Sequence, residues 1–175
     1  MVSDSTQRYG NVTRFLHWAM ALLIVLQFLK LGDRIDDGEH WVGQTIVPWH
    51  ISIGLLLLTL VVLRLLWALA QRRQRPGHVG FQAFLVKAGH FLLYVCMFLM
   101  PLTGLAAMLG GGYGLSAFGI TLVAETGVET PWLADIGELH EIIAFAFLAL
   151  AVGHIVMALY HHFVRRDGLL LRMMG

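Results

Sequence analysis

Four stretches of this chain are too long and too apolar to fold away inside a small water-soluble protein, and they limit its architecture more than any other feature. They cover residues 15–31, 46–70, 88–109 and 139–163. Each is close to the ~20 residues that an α-helix needs to cross ~30 Å of hydrocarbon. A soluble core would give shorter, amphipathic segments. Only 13% of the residues are charged, against about a quarter in soluble domains. Backbone N–H and C=O groups in lipid must be satisfied within the protein, which leaves helices or a closed barrel, and runs of this length select helices. The expected fold is an all-α integral membrane four-helix bundle, one domain over residues 1–175. The first run follows Arg8 and Arg14, as in a signal peptide, but Gln27 and Lys30 lead into an acidic stretch without a small-x-small cleavage site. It is therefore read as a retained helix.

Charge is segregated between the connections. Arg8 and Arg14 precede the first run, Arg72, Arg73, Arg75 and Lys87 lie between the second and third, and Arg165, Arg166 and Arg172 follow the fourth. The other two connections are acidic, with Asp33, Asp36, Asp37 and Glu39 in one and Glu125, Glu129, Asp135 and Glu138 in the other. The positive-inside rule predicts that both termini and the middle connection are cytoplasmic. No basic face suited to nucleic acid is present. Cys96 is the only cysteine, which excludes an intrachain disulfide, a cysteine-based cluster and a C-x-x-C-H haem attachment. Pro101 is expected to kink the third helix and the glycines at 110, 111, 112 and 114 to end it. The stretch from there to Asp135 is long for a connection and is expected to form a cap or a short helix over the periplasmic face.

Polar side chains at membrane depth usually face a bundle interior for a functional reason, and several of the nine histidines fall there. His17 lies inside the cytoplasmic end of the first helix, and His50 near the periplasmic start of the second. His140 and His154 both lie on the fourth helix. The interval between them falls within about 40° of four full helical turns, so both project from one face about 21 Å apart. Two ligands for one ion would stand one turn apart, so this spacing implies two sites at two depths. His50 can meet His140 at the outer level, and His17 can meet His154 at the inner one. A bis-imidazole haem iron has no open position, which suits electron transfer rather than oxygen binding. Arg64 follows His50 at the same interval as His154 follows His140, which puts it at the depth of the inner site. It is either the counter-ion of a haem propionate or an arginine snorkelling to the interface. Gly54 and Gly153 would admit a flat macrocycle, or simply let helices pack closely.

The order of short motifs carries a family resemblance. F-L-H-W opens the first helix and W-H-I-S-I-G the second, which ends near Arg64 and Leu65. L-H-E is followed by G-H at the four-turn interval, and A-L-Y-H-H-F precedes L-L-R-M-M. Over nearly its whole length the chain resembles the bacterial cytochrome b561 family, and the related cytochrome b subunits of membrane hydrogenases and formate dehydrogenases. The resemblance implies a multi-pass protein of the bacterial inner membrane holding two haems b, with His17 and His154 ligating one and His50 and His140 the other. It also implies exchange of electrons with quinone. For stand-alone members, which this short chain looks most like, it implies oxidation of periplasmic superoxide and reduction of ubiquinone. The expected activity is that of a superoxide:ubiquinone oxidoreductase, or of a pure electron carrier if the donor is a protein. An anchor subunit for a peripheral dehydrogenase is the alternative, and a histidine-based metal or proton transporter a more distant one.

His161 lies two turns beyond His154 on the same face, and is the first expectation for a quinone contact. His90 could ligate in place of His17, serve quinone, or sit at the interface. His162, His40 and His78 need no special role. Trp18, Trp49, Trp67 and Trp132 fit an interfacial aromatic belt. Glu141, beside His140, could orient or solvate the outer site.

Overall fold

The computed structural model describes residues 3–30, 41–74 and 81–174. The first acidic connection with Asp33, Arg34, Asp36, Asp37, Glu39 and His40, and the stretch with Arg75 and His78, lie outside the described residues. Four long helices dominate: α1 (Asn11–Phe28), α3 (His50–Ala70), α4 (Phe81–Gly110) and α5 (Pro131–Tyr160). A short α2 (Trp41–Thr45) and a 3₁₀ turn at Val47–Trp49 lead into α3, and a π-turn at His161–Arg165 and α6 (Leu171–Met174) complete the chain. All four long helices are long and apolar enough to span a membrane. Their large side chains point outward, among them Leu63, Leu66, Phe91, Ile142 and Val156. That is the expected inversion when the outer solvent is lipid.

α4 and α5 form the tightest pair. Gly137 makes this possible, since a Cβ there would overlap the Ala107 backbone. α1 packs on α3, and α3 packs on α4. α1 and α5 meet through rings, with Phe28 and Phe147 centroids 5.5 Å apart. Few large side chains fill the interior: the buried set includes Thr13, Ser52, Thr103, Cys96 and Ala106. Cys96 is accordingly a free, buried thiol, and Pro101 sits inside α4.

α4 begins at Phe81, ahead of position 88, and α5 at Pro131, ahead of position 139. Both extensions carry polar residues, Lys87 on α4 and Asp135 and Glu138 on α5, so helix continues past the hydrocarbon-like run. Pro131 at the first turn of α5 suits a helix start, where its missing N–H removes no bond.

The stretch expected to form a cap or a short helix between α4 and α5 holds a β-hairpin rather than a helix. β1 (Leu115–Ala117) pairs antiparallel with β2 (Ile120–Val123). Phe118 and Gly119 form the two-residue turn, both at positive φ (51° and 80°), which is the type I′ geometry that matches strand twist. Phe118 holds this unfavourable backbone with help: its N–H donates to Ser52 Oγ over 2.9 Å, and its ring packs on Trp49. Leu115 and Ala117 turn toward the bundle, while β2 is exposed.

Both termini lie at one end of the bundle. Tyr9 N donates to the Arg172 carbonyl, and Trp18 Nε1 to that of Met173. The buried Asp4 organises this end: its carboxylate accepts from Gly10 N (2.8 Å) and Thr13 Oγ1 (2.7 Å), and its own N–H donates to Gln71 at the end of α3.

Candidate functional site

Two histidine pairs meet inside the bundle, at two levels. At the end away from the termini, His50 opens α3 and faces His140 of α5, with ring centroids 6.0 Å apart and planes at 83°. Nearer the termini, His17 of α1 faces His154 of α5, with centroids 6.3 Å apart at 72°. α5 is continuous helix between His140 and His154, so the levels stand about 21 Å apart.

His140 is the most completely supported ring. Its Nδ1 lies 2.8 Å from the Met100 carbonyl and 3.2 Å from Thr103 Oγ1. A carbonyl can only accept, so Nδ1 carries the proton and Nε2 keeps its lone pair bare. Metal-binding histidines usually have this arrangement. Met100 precedes Pro101, and Thr103 donates its hydroxyl to the Leu99 and Met100 carbonyls. Gly104 makes room, since a Cβ there would lie 3.1 Å from His140 Cε1. Facing it, the His50 carbonyl accepts from Gln27 Nε2 at 2.9 Å. His50 Nδ1 is buried and, among the described residues, has no hydrogen-bond partner.

A cavity opens between these two rings, enclosing about 970 Å³ with its open mouth included. All four long helices line it, through Met20, Gly54, Leu57, Met97 and Phe147 among others, with Lys30 and Glu141 as its charged residues. Gly54 leaves ordinary contact space toward Gln27, whereas Gly153 faces open space.

At the inner level Arg64 donates to His17 Nδ1 over 3.0 Å and lies 5.7 Å from the Tyr94 ring centre. Arg64 thus stands beside the inner histidine pair. His90 of α4 also reaches this level, with its ring 5.3 Å from that of His154 and its Nδ1 2.7 Å from the Val86 carbonyl. Trp67 does more than line an interface, because its Nε1 donates to Thr13 Oγ1.

His161 starts the π-turn beyond α5 and is paired through Nδ1 with Asp167. The hydrogen bond from His161 holds the Asp167 carboxyl below its ordinary value. Arg166, at positive φ, turns the chain back so that this pair can form. His162 packs edge-on against Phe163. Asp4, Thr103 and Asp167 escape a sequence reading, because their partners come from remote segments or from a turn that periodicity does not show.

The geometry fits a porphyrin iron. Metal–imidazole bonds of about 2.0 Å, plus the distance from ring nitrogen to ring centre, would set two opposed imidazole centroids about 6.2 Å apart. Both observed pairs, at 6.0 and 6.3 Å, lie close to that spacing. Among the described residues, no three His, Cys, Asp or Glu side chains form a cluster that could hold a bare metal ion.

Comparison with known proteins agrees with this architecture. The family model described as prokaryotic cytochrome b561 matches residues 8–175. Cytochrome b561 homolog 2 of Escherichia coli (strain K12) is 30% identical over 99% of this chain and 94% of its own. Cytochrome b562 of Cereibacter sphaeroides is 30% identical over 95% of this chain and 94% of its own. A protein of Yersinia pestis named probable superoxide oxidase CybB is 26% identical over 96% of each chain. The chain thus belongs to the prokaryotic cytochrome b561 family, haem b proteins that pass the bacterial inner membrane several times and carry electrons across it.

Proposed function

We propose that the chain holds two haems b, one between His50 and His140 and one between His17 and His154, and carries electrons between a periplasmic one-electron donor and membrane ubiquinone. The observation that carries this reading is the recurrence of one spacing, 6.0 and 6.3 Å, at two levels of a single helix. When bound, haem b supplies reversible one-electron chemistry at iron; the protein supplies position, ligation and charge. His140 offers a bare Nε2 because Met100 holds its Nδ1 proton. His17 is favoured over His90 at the inner level because the His90–His154 spacing of 5.3 Å is too short to admit an iron. A His17 ring that ligates through Nε2 carries its proton on Nδ1, and Arg64 must then donate elsewhere. A haem propionate is the anion suited to it, in bidentate fashion.

At the terminal end, a His161 ring protonated on both nitrogens and held through Nδ1 by Asp167 would donate its Nε2–H to a quinone carbonyl and bring it a proton, with Asp167 toward water. His90 serves this end as a polar neighbour of His154. The positive-inside rule makes this end cytoplasmic, because Arg8, Arg72, Arg73, Arg165 and Arg172 gather there. Superoxide is the proposed donor, and Lys30 on the outer cavity is the residue suited to attract an anion. A second reading, a protein donor, is favoured by the exposed Glu125, Glu129, Asp135 and Glu138 at the same outer end, which would repel an anion and attract a basic surface.

The deciding experiment quantifies haem per chain from a reduced-minus-oxidised spectrum. Wild type should hold two haems, and His140→Ala should hold one. One haem or none in wild type, or an unchanged spectrum in His140→Ala, overturns the reading. Superoxide supplied with ubiquinone should yield quinol above the spontaneous rate, with Lys30→Glu slower. A rate that ignores Lys30 and responds only to a basic protein donor selects the second reading.

A further inference from the structure

α1 presents a second groove, lined by Asn11, Arg14, Phe15, Trp18, Ala19 and Leu22 and by no histidine of either pair. Their spacing places them on one helical face. Below Arg14 the groove is apolar, and Phe15, Trp18 and Leu22 remain exposed, as expected of a surface that meets lipid tails. Its terminal end is closed by α6: Trp18 Nε1 donates to the Met173 carbonyl over 3.2 Å, and Arg14 donates to that of Met174. α6 therefore fixes both the tryptophan and the guanidinium at the mouth of the groove.

Arg14 is the unusual member. Its Nε is buried and, among the described residues, has no hydrogen-bond acceptor. A guanidinium is always charged and presents its donors in a fixed fork. Here one arm is held by Met174, and the side chain lines the mouth of the groove. Asn11, one turn earlier, adds a second polar side chain at the same mouth. The surrounding end is cationic, with Arg8, Arg72, Arg73, Arg165, Arg166 and Arg172. The acids Asp4 and Asp167 are already engaged, Asp4 by Gly10 and Thr13 and Asp167 by His161.

We propose that this groove is a binding site for an anionic phospholipid. The phosphate accepts from Arg14 and Asn11 at headgroup depth, and an acyl chain lies along Phe15, Trp18, Ala19 and Leu22. Charge complementarity selects the headgroup, and the apolar groove directly below selects a lipid rather than a free phosphate. Basic pockets beside membrane helices bind anionic headgroups in this way. None of the lining residues is a histidine of either pair, although Trp18 packs edge-on against His17 on the inner side of α1.

The test uses the purified haem-loaded protein, stripped of lipid in detergent, with bound lipid counted by native mass spectrometry. Phosphatidylglycerol and phosphatidylcholine with identical chains are supplied in competition. Wild type should retain one lipid with at least about fivefold preference for phosphatidylglycerol, and millimolar inorganic phosphate should not displace it. Arg14→Gln should lose the preference, and Ala19→Phe, which fills the tail groove but keeps the charge, should lose the lipid. Haem content should stay at the wild-type value in both. Equal retention of the two lipids by wild type, displacement by phosphate or by ubiquinone, or undiminished preference in Arg14→Gln overturns the proposal. If Arg14→Gln does not fold, Ala19→Phe decides, and a lipid retained there as in wild type overturns it as well.

Discussion

Whether an imidazole can bind iron depends on which of its nitrogens is bare, and that depends on groups far away in the sequence. The four histidines of the two pairs could be picked out from spacing and depth, because about four turns of helix return a side chain to the same face. The support of His140 could not, since Met100, Thr103 and Gly104 belong to another helix and nothing in their local pattern points at a histidine on the next long one. Gly104→Val should accordingly force the His140 ring aside and weaken the outer haem selectively. Titration of haem into the purified apoprotein should show one site unchanged and one weakened about tenfold or more, the effect expected of disturbed ligand support. The His161–Asp167 pair gives a prediction in pH. Its Asp167 carboxyl is depressed by the hydrogen bond from His161, so the contact is fully present above the unfolded carboxyl value of about 3.9 and fades as pH falls through the lower folded value. Hydrogen exchange over 161–170 should show protection that is steady from neutral pH to about pH 4 and lost below it. Asp167→Asn should show weak protection throughout; protection equal to wild type would mean that the pair does not hold this turn.

The helices are legible in the sequence, and their ends are not. Hydrophobic length fixes the part of each helix that meets lipid, whereas Lys87 on α4, and Asp135 and Glu138 on α5, extend helix into a more polar zone where hydropathy carries no signal. The hairpin is not legible in the sequence because its turn is Phe118-Gly119 rather than an Asn-Gly or Asp-Gly pair, and Phe118 depends on Ser52 and Trp49 from α3 and its preceding turn. Packing between elements explains Gly137 in the same way. It lies one turn before His140 and against the Ala107 backbone, so it sets the separation of α4 and α5 just where Met100 must reach His140. Gly137→Leu should overpack this contact and destabilise the protein by about 1–3 kcal/mol. It should also move the His140 ring off the Met100 carbonyl. A lower unfolding temperature in detergent, together with a displaced outer-haem α-band, would bear this out. A variant as stable as wild type with an unaltered spectrum would show that the close approach at Gly137 is not what positions the ring.

For the molecule as a whole, the proposed function depends on having two levels rather than one, and on which side of the membrane each level faces. A site at a single depth could exchange electrons with a partner on one side only, while sites about 21 Å apart along α5 bring one level near each edge of a ~30 Å hydrocarbon layer. Charge is distributed asymmetrically: Arg8, Arg14, Arg72, Arg73 and Arg172 lie at the end with the termini, and Glu125, Glu129 and Glu138 at the other. The positive-inside rule predicts that the His50–His140 level faces the periplasm. A fluorescent protein fused to the C-terminus should therefore fluoresce, and alkaline phosphatase fused there should stay inactive. The two levels also make a stronger prediction in sealed proteoliposomes of fixed orientation. With a membrane-impermeant reductant outside and an impermeant oxidant inside, wild type should pass electrons across the bilayer. His140→Ala and His154→Ala should each abolish transfer, although each retains the other pair intact. Transfer that survives in either variant would show that a single level suffices, and the reading of stacked pairs as one path would fall.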